Sequence, residues 1–572
     1  MENEISQAYA ELLDGTYDSV DRIVINGYFQ SGQLAGGFRI WWRALNGSDE
    51  ELDDTHLMRM AGRFRRRLQG YCAKHGIPML ECERKQRKHE VAEAYLPQDA
   101  NQQGLFLVLV DRASAPTWHV EKTQDGRIRN LVRKYRHVNH YYFHILDREW
   151  GHVTIGMSGH PPFGVQVILN GHEYIERQAA KMGYTLAKSG NCFTAIMATS
   201  TTRPATVTGC STNIVGSTAS CAAQPNLAQL AETVCSASIV GQLRQVCDRW
   251  LYSTCLSFAL TTAEQEQSGF RYAYSLFQLE FSHNLLFRQG AQLEQCFQAL
   301  IDRTRTRLDL ARIKTIFGTK RRPARRHSVA KLREEVVIEH PTYELTVFKI
   351  HFGLFTLKMY SKGQRVLRTE AIVHNTKALH GQRQLAAFPA WVSHLRQLLQ
   401  RFLDQLSWLD ACFVSDETLD CLPLPGHLDG HSTAGIDPNQ PRLRAVLQAV
   451  LAHAALPNGF SASQIAAKVR QILQLPDDHY LARHASYDLR KLRGKGWIER
   501  IAHSQRYRPS HTGLQTISAL VLVRDYLLKP VLAGAGQPKR GPKPKDQNPV
   551  DSLLAQIHFL MHSLLTEMGF AF

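Results

Sequence analysis

Residues 481–509, LARHASYDLRKLRGKGWIERIAHSQRYRP, decide the fold of the C-terminal part of the chain. The apolar residues of its first half recur at helical spacing, at Leu481, Ala485, Leu489 and Leu492. Gly494 and Gly496 then end this helix. Segments 497–501 and 506–508 indicate two short strands joined at 503–505. A helix followed directly by such a hairpin is typical of a winged helix-turn-helix.

Two further helices are predicted just before this stretch. The first covers Arg442 to His453, and the second starts at Ser461, where Ser461 and Gln464 fit a capping box. We therefore predict a winged helix-turn-helix over residues 436–530 that binds duplex DNA. Its predicted DNA contacts are the outward residues of the third helix and one wing residue: Arg483, His484, Tyr487, Arg490, Lys491 and Arg506.

The bulk composition agrees with a nucleic-acid partner. The 572 residues carry a formal net charge of +17, which favours a polyanion. Hydrophobic residues make up 44% of the chain, enough for large cores, yet no uncharged apolar run of 18 residues indicates a membrane span. The acidic N-terminus does not resemble a signal peptide. The 11 cysteines include no Cys-x-x-Cys pair, so we expect reduced thiols, no zinc site and a cytoplasmic, nucleoid-associated location.

The pattern along the chain predicts a multidomain α+β protein. Asp21 to Tyr28 and Gly37 to Ala44 suggest a β-hairpin, and Leu57 to His75 a helix. The predicted units are a mixed α/β domain (1–190), a Ser/Thr-rich linker or loop (191–225), a helical segment ending in a basic block (226–335), a β-rich hairpin domain with a helix (336–430), the winged helix (436–530), a basic Gly/Pro linker (531–549) and a C-terminal helix (550–572) that could pair two subunits.

The basic block at residues 312–333 contains nine Lys or Arg residues and no acid. Cations at this density repel one another unless a negatively charged surface lies against them. We therefore predict nucleic-acid contact there, with a solvated loop as the alternative. The predicted contacts are Lys320, Arg321, Arg322, Arg325 and Arg326.

A first catalytic hypothesis concerns the hairpin with Lys358, Tyr360 and Glu370. A tyrosine can attack a DNA phosphate when a cation and metal-holding carboxylates lie nearby, which would call for Mg²⁺. Lys358-Met359-Tyr360-Ser361-Lys362 and Arg368-Thr369-Glu370 resemble the Tyr-x-Lys and Arg-x-Glu strands of rolling-circle replication initiation factors. That resemblance implies strand transfer through Tyr360. An ordinary half-buried hairpin with charged edges is the alternative.

A second catalytic hypothesis concerns Glu83 and Lys85. A strand ending in Glu-x-Lys is half of a restriction-type nuclease motif, in which carboxylates bind Mg²⁺ and the lysine positions water. Asp21 or Asp54 could supply the upstream carboxylate. A solvated charged helix start is the alternative.

Six histidines between residues 137 and 172 form a third constellation. His140 and His144 are four residues apart, a spacing that brings two metal ligands together on a helix. Tyr141-Tyr142-Phe143 indicates a strand instead, which argues against a metal site. Aromatic and basic residues here could instead stack on an unpaired base: Tyr135, Arg136, Tyr141, Tyr142 and Trp150.

The chain also resembles uncharacterised bacterial proteins that occur in several copies per genome. The resemblance lies in Asn170-Gly171-His172-Glu173, Asn191-Cys192-Phe193, the 358–368 hairpin and 487–493. It implies a mobile or replicating element. The leading hypothesis is therefore a DNA-binding protein of such an element that nicks or cleaves DNA as a metal-dependent nuclease or strand transferase. The alternatives are a non-enzymatic DNA-binding regulator and an RNA-binding or RNA-guided effector.

Overall fold

The computed structural model describes residues 6–198, 226–297, 335–408 and 420–524, apart from short gaps, and six residues between 552 and 560. The gaps are residues 8, 84–85, 100–101, 126, 190–191, 340–346, 353, 377–383, 429, 455, 457–458, 503 and 523. The predicted basic block with Lys320, Arg321, Arg322, Arg325 and Arg326 lies outside the described residues, as do the 531–549 linker and most of the C-terminal helix.

Strands and helices alternate over the N-terminal half. In chain order they are β1 (Leu13–Phe29), α1 (Ala35–Asn46), α2 (Asp54–His75), β2 (Met79–Glu81), α3 (Lys88–Ala94), β3 (Gly104–Lys122), β4 (Ile128–Asp147), β5 (Gly151–Ser158), β6 (Val165–Asn170), α4 (Gly171–Lys181), β7 (Tyr184–Ser189), β8 (Cys192–Ala198), α5 (Leu227–Glu232), α6 (Ile239–Trp250) and α7 (Thr262–Ser268).

Strands dominate the next part, and short helices the last. The elements are β9 (Tyr272–Phe287), β10 (Glu335–Glu339), β11 (Val347–Phe352), β12 (Phe355–Lys362), β13 (Val366–Val373), α8 (Phe388–Trp408), β14 (Gly426–Leu428), β15 (His431–Thr433), α9 (Pro441–His453), β16 (Phe460–Ser461), α10 (Ala462–Leu473), α11 (Ala482–Gly494), β17 (Ile498–Arg500), β18 (Arg506–Pro509) and α12 (His511–Leu522).

Eleven strands of the described chain form one mixed sheet, in the order β10-β11-β12-β13-β9-β1-β6-β5-β4-β3-β2. Only β2 and β3 pair in parallel among these described strands. The first strand, β1, lies between two antiparallel meanders and pairs with β6 on one side and with β9 on the other. The chain is therefore a multidomain α/β protein whose sheet joins segments far apart in sequence.

Two local predictions were wrong. Gly37 to Ala44 is not a strand but part of α1, because Phe38, Trp41 and Trp42 recur at helical spacing and form one buried face. The predicted helical segment 226–335 contains β9, whose register with β1 runs from Leu13↔Phe287 to Phe29↔Tyr272.

The predicted 191–225 linker also begins differently. Its first residues form β8, which pairs with β7 and buries Cys192 and Phe193. This stretch is apolar rather than Ser/Thr-rich, so it has side chains to bury. The rest of the predicted linker, residues 199–225, lies outside the described residues.

The C-terminal unit comprises three helices and a small sheet. Helix α10 packs on both α9 and α11, and the strands pair in the order β16-β18-β17. Ala485, Leu489 and Leu492 of α11 are buried, as the periodicity predicted. Helix α12 contacts both α9 and α8, and α8 in turn packs on β9 and β13 of the large sheet. Within the described ranges no helix is both long and apolar enough to cross a membrane.

Gly171 provides a test of the packing of α4 against β1. A Cβ at Gly171 would lie 1.7 Å from the Val20 carbonyl oxygen, whereas one at Gly241, exposed in α6, would meet no atom within 4 Å. We expect Gly171→Ala to lower the free energy of unfolding by about 1–3 kcal/mol or more. Gly241→Ala should raise it by up to about 1 kcal/mol, because alanine favours a helix. Urea denaturation followed by circular dichroism measures both changes, and similar effects of the two variants would contradict the close approach.

Candidate functional site

A cluster of charged and polar side chains lies on one face of the large sheet, where β1, β9, β13 and β12 are neighbours. We call it the central polar cluster. Alternate residues on a strand point to the same face, which is why two members come from each of three strands. Its members are Asp21 (β1), Ser282 and Asn284 (β9), Arg368 and Glu370 (β13), and Lys358 and Tyr360 (β12).

The Arg368 guanidinium is the centre of this cluster and is only 2% exposed. Its Nε donates to Glu370 Oε1 at 2.7 Å, and its Nη2 donates to Asp21 Oδ2. Its Nη1 donates to Cys192 Sγ at 3.1 Å and to Asn284 Oδ1 at 3.4 Å. All three guanidinium nitrogens therefore have protein partners, as a buried cation requires.

Glu370 accepts hydrogen bonds from three side chains. Besides Arg368, Lys358 Nζ donates to it at 3.1 Å and the Tyr360 hydroxyl donates to its Oε1. Burial alone would raise the pKa of Glu370, but Lys358, Arg368 and the Tyr360 hydrogen bond outweigh it and hold the pKa well below its usual range. Glu370 is therefore an ionised carboxylate paired with two cations.

Tyr360 is held in its protonated form. Burial raises its pKa well above the usual value, and the negative charge of Glu370 raises it further. A phenol must lose its proton to attack a phosphate, so this arrangement stabilises the form that is not nucleophilic. Asp21 and Glu370 both pair with Arg368, so the cluster as arranged does not fit a divalent cation.

The structure separates the two predicted catalytic constellations. Lys358, Tyr360 and Glu370 come together in the central polar cluster, as the hairpin predicted. Glu83 is exposed just after β2. In the strand order β2 lies eight positions from β12, with about 4.8 Å between neighbouring strands, so Glu83 is far from the central polar cluster. Lys85 lies outside the described residues. Asp21, considered as a partner of Glu83, instead belongs to the central polar cluster.

Asn284 and Ser282 were missed from sequence. Both are fully buried on β9, and the Asn284 amide donates to Ser282 Oγ at 3.1 Å. Their signal is the polar alternation of Glu280, Ser282 and Asn284, which places three polar side chains on one face of the strand.

The buried His144 on β4 and the half-buried His152 on β5 form a separate pair. His144 Nδ1 lies 3.0 Å from His152 Nε2, and Thr154 Oγ1 lies 3.3 Å from His144 Nδ1. Burial lowers the pKa of His144 to about 3, with the neighbouring His152 adding to the effect, and burial lowers the pKa of His152 to about 4. Among the described residues, no group of three or more His, Cys, Asp or Glu is placed to hold a metal ion.

The predicted DNA-binding residues of the C-terminal unit fall into two groups. Arg483, Arg490 and Tyr487 are exposed on α11, and Lys491 Nζ lies 4.9 Å from the centre of the Tyr487 ring. His484 has a structural role, because its Nδ1 accepts a hydrogen bond from the Leu481 amide at 3.1 Å and caps the helix.

Arg506 also has a structural role. Its guanidinium is partly buried, and its Nη2 donates to the Gly459 carbonyl at 2.6 Å. It therefore ties β18 to the segment before α10 rather than projecting from the wing.

Comparison of the chain with protein-family models, with curated proteins and with solved structures gives no match.

The central polar cluster yields a stability test. We expect Glu370→Gln to lower the free energy of unfolding by about 3–5 kcal/mol, because it removes the counter-charge of half-buried Lys358 and one of the two counter-charges of buried Arg368. Tyr360→Phe should cost about 1.5–3 kcal/mol, since it removes one hydrogen bond to a charged group. Glu499→Gln is the matched control, because the Glu499–Arg508 pair is exposed and worth less than about 1 kcal/mol. Urea denaturation measures all three, and equal costs of the two glutamine variants would contradict the burial of the cluster.

The histidine pair predicts a pH dependence of stability. Both pKa values are lower in the folded protein than the ordinary 6.5, so the unfolded chain binds more protons below pH 6.5. Stability from this pair is complete above pH 6.5 and is lost as the pH falls towards 4, by up to about 1.4 kcal/mol per pH unit for each histidine. The His144→Gln/His152→Gln variant should show a shallower loss in denaturation curves between pH 6.5 and pH 4.5. His89→Gln, on the surface, controls for removal of an imidazole, and an unchanged slope in the double variant would refute the assignment.

Proposed function

We propose that the C-terminal unit is a winged helix-turn-helix and that the protein binds duplex DNA through α11. In this proposal α9 to α11 are the three helices, and β17 and β18 form the wing beside β16. A 13-residue helix is about 20 Å long and fits the major groove of duplex DNA.

The charge arrangement on α11 carries the proposal. The helix contains four Arg or Lys residues and a single acid, Asp488. Asp488 is fully buried, where its carboxylate accepts hydrogen bonds from Tyr480 at 2.8 Å and from Arg442 at 2.9 Å. The exposed face therefore presents cations and Tyr487 without an opposing negative charge, which favours contact with phosphates and base edges.

Two wider observations support a polyanion as the partner. The whole chain has a net charge of +17, and release of counterions from DNA makes such an excess favour binding. Arg500 and Arg508 are exposed on β17 and β18, where a wing would lie beside the DNA backbone, although Arg508 also pairs with Glu499 at 3.1 Å. On this proposal the protein acts at DNA in the cytoplasm and serves a mobile or replicating element.

The protonation state of Tyr360 favours binding without strand cleavage. Its hydroxyl is bound to Glu370, and its pKa is raised by burial and by that carboxylate. Of the functions considered from the sequence, a non-enzymatic DNA-binding protein therefore agrees better with the central polar cluster than a strand transferase acting through Tyr360.

The test replaces two exposed arginines of the proposed recognition helix. We expect Arg483→Ala/Arg490→Ala in the full chain to weaken duplex binding by about 10- to 100-fold, because two phosphate contacts are lost. The slope of log K against log salt concentration should become shallower by about 2. Fluorescence anisotropy with a labelled duplex, at several salt concentrations, measures both quantities.

The matched control is Arg87→Ala/Arg148→Ala, which removes the same charge from exposed positions outside the C-terminal unit. It should change affinity by less than about threefold. If the α11 variant binds duplex DNA no more weakly than this control, α11 is not the recognition helix.

A further inference from the structure

The long strands β3 and β4 continue beyond the rest of the sheet as a two-stranded ribbon. β2 pairs with β3 only at Val108 to Val110, and β5 pairs with β4 only from His140 onward. In the described part of the chain, residues 112–122 and 128–139 therefore have no strand partner other than each other. We call these two stretches the β3–β4 ribbon.

One face of the β3–β4 ribbon is basic and carries an exposed aromatic ring. The register places Arg133 opposite Trp118, Tyr135 opposite Pro116 and Asn139 opposite Arg112. Opposite residues of an antiparallel pair share a face, as do alternate residues of one strand. Between residues 112 and 118 and between residues 131 and 139, the exposed residues of this face are Arg112, Ser114, Arg133, Tyr135 and His137.

This face has no negative charge to balance its arginines. Residues 112–118 and 131–139 contain no Asp or Glu. Tyr135 is 77% exposed, more than any other large hydrophobic side chain among the described residues. Its neighbours on the same face of β4, Arg133 and His137, are each two residues away, about 6.7 Å along the strand.

The rest of the ribbon is anchored, so the basic face is a fixed surface. On the opposite face, Arg136 Nη2 donates to Asp54 Oδ2 at 2.8 Å, and His119 Nδ1 lies 2.7 Å from the same oxygen. On the basic face itself, nearer the tip, Trp118 is buried against Phe38 of α1 and donates from Nε1 to the Gly32 carbonyl at 3.0 Å, so α1 covers that end of the face. Tyr135 therefore projects from a backbone held on both sides of it.

A rigid, exposed ring between cations matches an unpaired base with its flanking phosphates. In a duplex the base faces are covered by their neighbours, so a surface tyrosine can reach them only in a single strand. We propose that this face of the β3–β4 ribbon binds single-stranded DNA, with Tyr135 stacking on a base and Arg112 and Arg133 contacting phosphates. The choice of DNA over RNA rests on the proposed function, whereas the choice of a single strand rests on Tyr135.

The first experiment measures binding of the full chain to a labelled oligothymidylate of about 20 nucleotides, longer than one site of roughly 4–16 nucleotides. We expect Tyr135→Ala to weaken this binding by about 5- to 150-fold and to leave duplex binding unchanged. Tyr135→Phe keeps the ring and should retain most of the affinity. Tyr95→Ala, at another exposed tyrosine, is the control for loss of an aromatic side chain.

A second variant tests the cations. Arg112→Ala/Arg133→Ala should weaken oligothymidylate binding and make its salt slope shallower by about 1.4, the value for two phosphate contacts on a single strand. Wild-type affinity for oligothymidylate in both ribbon variants would overturn the proposal. Binding of oligouridylate ten times or more tighter than oligothymidylate would overturn the assignment to DNA.

The two proposed surfaces can fail independently. Arg483→Ala/Arg490→Ala should leave oligothymidylate binding intact, and Tyr135→Ala should leave duplex binding intact. Duplex binding without any oligothymidylate binding would refute the ribbon proposal alone. In the opposite case, the ribbon variants lose oligothymidylate binding while the α11 variant still binds duplex DNA normally. That result would refute the proposed recognition helix alone.

Discussion

The buried Arg368 guanidinium is the interaction on which the sheet depends. It bonds to Glu370 on its own strand and reaches across β9 to Asp21 on β1, a residue 347 positions away in sequence. An unpaired cation buried away from water costs several kcal/mol. Here the strand register places the Asp21 and Glu370 carboxylates beside the guanidinium. A one-residue slip of β1 would turn Asp21 to the opposite face and leave Arg368 short of a counter-charge. The hydrogen bonds therefore specify how the N-terminal meander joins the later one.

Local patterns predicted local structure well. The helices of the C-terminal unit and the 355–373 hairpin repeat their apolar residues at clear periods, and each needs only neighbouring residues to form. Lys358, Tyr360 and Glu370 were found for the same reason, because a hairpin register brings them together. The segment at Gly37 failed because an aromatic run is compatible with a strand or a helix until its burial is known. Glu83 has the residue types of a catalytic half-motif, but Asp21 pairs with Arg368 and Asp54 with Arg136, so the two carboxylates suggested as its partners are held elsewhere.

Long-range pairing could not be read from the sequence. Nothing in β1 itself indicates that Phe29 will pair with Tyr272, or that the strand will lie between two meanders. Asp21 therefore looked like a free carboxylate, and its role became visible only when β9 and β13 were placed beside it. The same limit applies to the β3–β4 ribbon: Tyr135 and its basic neighbours are evident in the sequence, but their common face requires the register with β3.

The distribution of charge explains why a protein with buried charged groups can still present an excess of cations. In the central polar cluster, Arg368 and Lys358 are matched by Asp21 and Glu370, and in the C-terminal unit Asp488 is matched by Arg442. Positive and negative groups are equal in number in these pairs, so they contribute nothing to the net charge of +17, which comes from other residues. Exposed charges farther apart than about 8–10 Å are largely screened from each other at physiological salt. The cations of α11 and those of the β3–β4 ribbon lie on separate elements, so each group should attract phosphates only in its own neighbourhood. On the two proposals, the helix face of α11 would select duplex DNA and the exposed ring of the ribbon would select a single strand.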